Sequence, residues 1–224
     1  MTDLASQWLV DQIRSLHKDS SNQLWIVDEN YTAQHDILPS LPITIICNRF
    51  DLADQLKQKF PNTVFSDFDF TKIESGTLDN VFYRISKEKA VTHHVINQAH
   101  RCLKTGGQFF VVGYKNEGIK TYLDKAGKLW EKKITPKKNG EIYTAVIRKQ
   151  NLSGTLLDTS NYTELRSIGE YAPPILSKPG QFGWNKLDAG SQLLIDTLRT
   201  LKQRCSGSAL DLGCGYGFLT LNAA

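Results

Sequence analysis

The stretch DLGCGYGFLTLNAA, residues 211–224, contains a glycine-rich turn that says more about the fold than any other part of the sequence. A short apolar run over residues 209–212 leads into Gly213, Gly215 and Gly217, and a helix-like pattern follows. Glycines at a strand-to-helix corner permit positive φ and let the backbone approach a ligand. The helix after them offers free N–H groups and the positive end of its dipole. The stretch is therefore typical of the beginning of a cofactor-binding α/β domain.

The pattern upstream of this turn predicts a complete α/β unit. Apolar runs predict strands over residues 24–30, 43–50, 63–70, 78–85, 108–114 and 141–149. Helical spacing or composition predicts helices over residues 3–17, 51–60, 86–104 and 117–130, with Ser86 as an N-cap. Strands that alternate with helices of this length predict a mostly parallel sheet with helices on both faces.

A proline- and glycine-rich stretch interrupts this regular alternation. Its irregular pattern predicts an extended connection over residues 156–185. A second α/β pattern begins near residue 190. We therefore expect a first domain over residues 1–155, a connecting segment, and the start of a second domain over residues 186–224.

Composition narrows the class of protein. The chain has 224 residues, of which 40% are hydrophobic, and no apolar run approaches the length of a membrane span. Its first residues lack the pattern of a signal peptide. Four scattered cysteines without a C-x-x-C pair favour free thiols in a reducing compartment. We therefore expect a cytoplasmic protein that does not associate with a membrane.

Basic residues are concentrated in one part of the chain. Residues 101–149 contain twelve Lys and Arg against four Asp and Glu, a net charge of +8. Such an excess can attract phosphate groups, although a solvated lysine-rich surface is the simpler interpretation. The lysines concerned are Lys115, Lys120, Lys125, Lys128, Lys132, Lys133, Lys137 and Lys138.

Three segments resemble a known family. D-L-G-C-G-Y-G-F-L is similar to the first motif of class I S-adenosylmethionine-dependent methyltransferases. FGWNKLDAGSQLLIDTL, residues 182–198, resembles the segment that precedes this motif in the RsmC-like methyltransferases. FFVVGYKNEGIKT, residues 109–121, resembles their N-terminal domain.

The resemblance implies a fold and a reaction. RsmC-like enzymes have two Rossmann-like methyltransferase domains in tandem, of which the first is degenerate and the second catalytic. They modify the exocyclic N2 of a guanine in the 16S ribosomal RNA of the small subunit. Such an enzyme has ribosomal RNA, or the small ribosomal subunit, as its partner. The lysine-rich stretch then becomes a candidate RNA surface, on which Tyr114 and Trp130 either stack on bases or belong to the core.

The resemblance also implies the cofactor site. The loop would wrap the methionine and ribose part of S-adenosylmethionine, with the Asp211 carboxylate near its positively charged amino and sulfonium groups. The implied cofactor-binding residues are Asp211, Gly213, Cys214, Gly215 and Gly217, followed in rank by Asp188 and Ser191. Capping of a helix is the ordinary alternative for the last two.

The first domain lacks such a loop. Tyr31 and the three residues after it stand where glycines would be needed, so we expect no cofactor there. Three histidines on one helix, His93, His94 and His100, have no partners that would complete a metal site, and we expect them at a helix surface or an interface.

The family's N-P-P-[FY] motif, which orients the target amine, does not occur in the sequence. We therefore expect this chain to be the N-terminal portion of a longer enzyme that contains the catalytic domain. The chain alone would be inactive, would contain no catalytic residue and would not bind the cofactor. Its C-terminal apolar residues would lack the neighbouring strands of a sheet.

Two other functions remain open at this point. The chain could be an RNA- or protein-binding α/β module in which residues 186–224 are vestigial. It could also be part of an NAD-type oxidoreductase, although a dinucleotide loop reads G-x-G-x-x-G and the third glycine here comes one residue early.

Overall fold

The computed structural model describes residues 3–16, 22–31, 38–181, 183–200 and 207–223. The chain divides into two compact units, Met1–Asp158 and Thr159–Ala224. Each unit has its own secondary structure and its own apolar cluster.

The first unit is a seven-stranded sheet in the order β3-β2-β1-β4-β5-β7-β6. Its strands are β1 (Gln23–Val27), β2 (Thr44–Cys47), β3 (Thr63–Phe65), β4 (Leu78–Arg84), β5 (Leu103–Tyr114), β6 (Lys137–Asn139) and β7 (Ile142–Arg148). Its helices are α1 (Leu4–Ser15), α2 (Phe50–Lys57), α3 (Lys89–Cys102) and α4 (Ile119–Leu129). The pairs from β3 to β5 are parallel, and β7 is antiparallel to both β5 and β6.

Helices cover both faces of this sheet. The apolar sides of α1 and α2 share one core cluster with Trp25, Phe82 and Phe110. On the opposite face, the Tyr83 hydroxyl lies 3.2 Å from Thr92 Oγ1 of α3. Strands β1 and β4 are buried almost throughout because both of their faces are covered, which explains their continuous apolar sequences. The predicted fold class is confirmed.

Three local features of the structure differ from the predictions. Strand β5 begins five residues before the predicted start, since the chain enters the sheet directly from α3. Strand β6 was not predicted, because its three residues are polar and exposed. The N-cap of α3 is Glu88 rather than Ser86, whose hydroxyl instead accepts a hydrogen bond from the Glu88 N–H at 3.1 Å.

A buried ionic cluster closes the sheet at the carboxyl ends of β4 and β5. The Arg84 guanidinium donates to Asp3 Oδ2 at 3.0 Å and to Glu117 Oε1 at 2.8 Å, and to the Ile85 carbonyl at 2.8 Å. Asp3 also caps α1 by accepting from the Ser6 N–H, and Glu117 accepts from the Tyr114 N–H. Burial alone would lower the pKa of Arg84, but its hydrogen bonds to the two carboxylates raise it overall. One arginine thus joins a helix, a strand and a turn.

The second unit is smaller. It contains a two-stranded antiparallel ribbon, β8 (Arg166–Ser167) with β9 (Leu176–Ser177), and two helices, α5 (Ala189–Thr200) and α6 (Phe218–Ala223). Ile175, Ile195 and Phe218 form its buried cluster. No helix among the described residues is long and apolar enough to cross a membrane.

The strand predicted over residues 209–212 does not form. Leu210 and Leu212 are 81% and 84% exposed, and the residues around them are irregular. A parallel strand needs neighbours that complete its hydrogen bonds, and none pairs with these described residues. Phe218 packs against Ile195 instead of a sheet.

Replacing Arg84 tests the ionic cluster. The Arg84→Leu variant would leave the buried Glu117 carboxylate and the half-buried Asp3 carboxylate without their arginine partner, and we expect its free energy of unfolding to fall by about 3–5 kcal/mol. The measurement is urea unfolding followed by circular dichroism. The matched control is Arg49→Leu. This change removes an ion pair with the exposed Asp51, so the free energy of unfolding should be nearly unchanged. Equal losses in both variants would contradict a special role for the buried cluster.

Candidate functional site

The glycine loop of the second unit is shaped by its backbone. Gly213, Gly215 and Gly217 have φ values of 76°, 55° and 80°. A Cβ atom built on any of the three meets no heavy atom within 4 Å. These glycines are therefore required by their left-handed conformation rather than by crowding, and the backbone between them is open to a ligand.

Polar side chains lie at both ends of this loop. The Asp211 carboxylate accepts a hydrogen bond from Thr220 Oγ1 at 2.7 Å, which joins the residues before the loop to α6. Cys214 is exposed within the loop. Thr220 was not among the predicted site residues, because only its position in the first turn of α6 places it against Asp211.

Asp188 and Ser191 form the N-terminal cap of α5. Asp188 Oδ2 accepts from the Ser191 N–H at 2.8 Å and from the Ser191 hydroxyl at 3.0 Å. Both hydrogen bonds lower the pKa of Asp188, and the one from the Ser191 backbone N–H has the larger effect. Helix capping is thus the observed role of both residues, and binding of a cofactor by them stays a prediction.

Tyr216 connects the glycine loop with this cap. Its hydroxyl accepts from the Asp188 N–H at 3.2 Å and donates to the Lys186 carbonyl at 3.3 Å. The structure therefore brings the two predicted parts of the site together through a residue that the motif treats as variable. The only sign of this link in the sequence was an aromatic residue between two glycines.

The corresponding edge of the first unit is filled by side chains. Strand order reverses between β1 and β4, which is where open α/β sheets bind ligands at their carboxyl edge. Asp28, directly after β1, is 3% exposed and accepts from the Asn30 N–H at 2.9 Å. Tyr31 is buried with its ring centroid 5.1 Å from that of Trp25. Residues 32–34, the rest of the predicted loop without glycine, lie outside the described residues.

Burial gives Asp28 an unusual affinity for its proton. Removal from water, with the neighbouring Glu29 charge as a second cause, raises the pKa of its carboxyl from 3.8 to about 7. Its Oδ2 atom has no hydrogen-bond partner among the described residues. The carboxyl therefore holds a proton in the folded protein over a pH range in which it is ionised in the unfolded chain.

The eight predicted RNA-binding lysines fall into two groups. Lys132, Lys133, Lys137 and Lys138 line one groove beside β6 and β7. The Lys120 ammonium lies 4.4 Å from the Tyr143 ring centroid and Lys125 Nζ 3.3 Å from His93 Nε2. Lys115 and Lys128 are exposed on the turn before α4 and on α4 itself. The structure thus separates a groove group from an α4 group.

The aromatic residues near these lysines belong to the core. Trp130 is 1% exposed and stacks on Phe109 at 5.8 Å. The Tyr114 hydroxyl accepts from the Leu4 N–H at 3.1 Å, and its ring lies under the Arg84 guanidinium. The core interpretation is confirmed for Trp130, whereas Tyr114 is half-buried and packs against the core cluster.

Of the two places predicted for the histidines, a helix surface or an interface, the structure contradicts the surface. His93, His94 and His100 are all buried, because α3 is covered on several sides. His93 Nδ1 lies 2.5 Å from the Asp158 carbonyl oxygen and His94 Nε2 lies 3.0 Å from that of Phe68. No group of side chains able to hold a metal ion occurs in the described part of the chain.

Asp28→Asn should change how stability depends on pH. The folded wild type keeps the Asp28 proton up to about pH 7, whereas the unfolded chain releases it near pH 3.8. The wild-type free energy of unfolding therefore falls as pH rises between these values, and the neutral amide lacks this dependence. We expect the variant to gain about 1–3 kcal/mol relative to wild type between pH 4 and pH 8. Urea unfolding across this range is the measurement, and the exposed Asp54→Asn is the control.

Amide hydrogen exchange should distinguish the glycine loop from the sheet. Residues 207–217 pair with no strand in the described part of the chain, so their amides should exchange on the order of 100-fold faster than those of β5. Exchange followed by mass spectrometry measures this ratio. Protection of the loop equal to that of β5 would contradict the prediction.

Two protein-family models match the chain. The family model described as Methyltransferase small domain N-terminal matches residues 14–151, and the one described as Methyltransferase small domain matches residues 173–224. The second match includes the glycine loop and the α5 cap.

Curated relatives and a solved structure agree with these matches. The chain is 29% identical over 151 residues to Ribosomal RNA small subunit methyltransferase C of Pseudoalteromonas atlantica, which covers 64% of this chain and 41% of the relative. It is 26% identical over 212 residues to the protein of the same name from Alteromonas mediterranea, covering 82% and 56%. The chain thus spans about half the length of these relatives.

The structural comparison supports the fold. The T. thermophilus 16S rRNA N2 methyltransferase RsmC, solved in complex with AdoMet and guanosine, matches with a TM-score of 0.67 and 16% identity. The match covers 89% of this chain and 53% of that protein. Because one family model matches well over half of the chain, including the sheet of the first unit, the chain belongs to the methyltransferase small domain N-terminal family.

Proposed function

We propose that this chain is the N-terminal portion of an S-adenosylmethionine-dependent methyltransferase that modifies N2 of a guanine in 16S ribosomal RNA. The observation that carries the proposal is the open glycine loop with Asp211 at its base, inside the segment matched by the methyltransferase family model. The names of the relatives and the guanosine bound to the similar solved structure support the choice of substrate.

The residues of the second unit suit the methionine end of S-adenosylmethionine. The cofactor supplies a methyl group on a positively charged sulfonium. Gly213, Gly215 and Gly217 would leave the backbone free to contact it, and the Asp211 carboxylate would face its positive groups. Tyr216 would hold the loop against the α5 cap of Asp188 and Ser191. An NAD-type function is less well supported because both family models describe methyltransferases.

The first unit would serve this reaction without binding the cofactor. Asp28 and Tyr31 occupy the edge where the fold would place a ligand. Its proposed roles are to stabilise the catalytic domain of the same protein and to help hold ribosomal RNA. A cytoplasmic location follows from that substrate.

The chain by itself would be inactive in this proposal. It spans about half of the curated relatives, and the N-P-P-[FY] motif that orients the target amine is not in its sequence. Proximity and orientation supply much of the rate of such a transfer. Without neighbouring strands beside residues 209–212, the loop would also bind the cofactor poorly.

The first experiment reads the gene downstream of Ala224 and expresses its complete product. We expect the reading frame to continue through an N-P-P-[FY] motif. The complete product should transfer a radiolabelled methyl group to N2 of a guanine in 16S ribosomal RNA, offered free or as the small subunit. Mapping the label by nuclease digestion and mass spectrometry identifies the atom.

Two controls make this test specific. Gly215→Val should abolish transfer by obstructing the loop, whereas Gly140→Val, a change at another exposed glycine with positive φ, should not. A complete product that binds RNA yet transfers no methyl group to any RNA would overturn the proposal in favour of a binding module.

A further inference from the structure

A groove runs along the sheet of the first unit between α1 and β6. Its volume is about 530 Å³, and its lining includes Trp8, Lys132, Lys133, Lys137, Lys138 and Val146. We call this feature the cationic groove.

The groove exists because α1 covers only part of its face of the sheet. Ile142 of β7 is buried in the core cluster that includes α1. Val146 lies on the same face of β7, since residues four apart on a strand share a face, yet it is 46% exposed. The groove floor is thus an uncovered apolar strip, and half-buried Trp8 of α1 forms part of its wall.

The charge around this strip has one sign. Lys132, Lys133, Lys137 and Lys138 are exposed, and no described lining residue is acidic. The ion pairs among described residues include none of the four. Four uncompensated ammonium groups around an apolar floor are complementary to a ligand that combines anionic groups with flat apolar rings.

Protection of a sheet edge explains only part of this arrangement. Lysines on an edge strand such as β6 discourage pairing with another chain, which accounts for Lys137 and Lys138. Lys132 and Lys133 precede the strand, and Trp8 lies on a different element. Their convergence on one groove is not required for edge protection.

We propose that the cationic groove binds a single-stranded segment of RNA, with phosphates on its lysines and a base stacked on Trp8. This inference rests on the proposed function for its choice of RNA over other polyanions. Single-stranded nucleic acid is held by positively charged grooves that contain aromatic side chains. The groove volume of about 530 Å³ suits unpaired nucleotides better than a duplex. The inference assigns RNA binding to the groove group and not to the α4 group, of which Lys120 and Lys125 already contact side chains.

The test compares two charge-matched variants of the 224-residue chain. In the groove variant, Lys132, Lys133, Lys137 and Lys138 are all changed to Gln. In the control variant, the exposed Lys57, Lys72, Lys87 and Lys89 are changed to Gln instead. The probe is a fluorescein-labelled single-stranded RNA of about 12 nucleotides of mixed sequence, and anisotropy gives its Kd over a range of salt concentrations.

We expect the groove variant to bind at least about tenfold more weakly, with a salt slope smaller in magnitude by about 2 to 3, as loss of three or four phosphate contacts predicts. The control variant should change by less than about twofold. A duplex of the same sequence should bind more weakly than the single strand. Equal losses in both variants, or equal binding of duplex and single strand, would overturn the inference.

Trp8 gives a second and independent test. Trp8→Ala should weaken binding by about fivefold or more through lost stacking, and Trp8→Phe should retain most of the affinity. RNA that contains 4-thiouridine should crosslink to the peptide containing Trp8 on irradiation. Circular dichroism establishes that each variant is folded, and the crosslink needs no variant. A crosslink only to peptides outside the groove would overturn the inference.

The outcomes separate this inference from the proposed function. If groove variants of the complete product methylate 16S ribosomal RNA with unchanged kcat/KM and bind RNA as wild type does, the groove assignment fails and the proposed function stands. If the complete product transfers no methyl group but RNA binding depends on the groove, the proposed function fails and the groove assignment stands. If the groove variants lose affinity for the rest of the complete protein but still bind RNA, the groove is a contact between parts of the protein. That outcome would overturn the inference.

Discussion

The Arg84 guanidinium, held between the carboxylates of Asp3 and Glu117, fixes the parts of the first unit that matter for function. Because Asp3 also caps α1, this contact sets where the helix begins against the sheet. The position of α1 in turn decides which residues of β7 are covered and which, such as Val146, remain open. A buried charge cluster of this kind is stable only when every partner is present. The position of α1, which forms one wall of the cationic groove, therefore depends on these few atoms.

The segments that follow β1 in the first unit and residues 209–212 in the second unit have opposite structures. After β1, the side chains of Asp28 and Tyr31 are buried and fill the space with an aromatic ring and a carboxyl whose pKa burial raises to about 7. After residues 209–212, three glycines with positive φ leave the backbone bare. The difference lies in a handful of residues, since one Rossmann-like architecture accommodates either arrangement. It supports a structural or RNA-binding role for the first unit and a cofactor-binding role for the second.

The lysine-rich stretch shows how a sheet divides a continuous run of charge. Residues of β7 alternate between faces, so Tyr143 meets Lys120 of α4 while Thr144 lies in the groove on the other side. Lysines close in sequence thus point into different surroundings. Some already interact with aromatic or histidine side chains, whereas the groove group has no acidic neighbour in the described lining. Only the latter arrangement concentrates positive charge beside an open apolar strip.

The sequence by itself determined the α/β alternation, the covered central strands and the glycine loop, because these depend on local periodicity and on the steric freedom of glycine. For Trp130, the sequence left two alternatives open, stacking on a base or a place in the core. The short polar strand β6, the buried histidines of α3 and the missing strand at residues 209–212 were decided by tertiary structure. So were the Arg84 cluster, the link from Tyr216 to Asp188 and the groove beside Trp8. Each joins residues distant in the chain or depends on which neighbours a strand has, and no local pattern encodes such long-range packing.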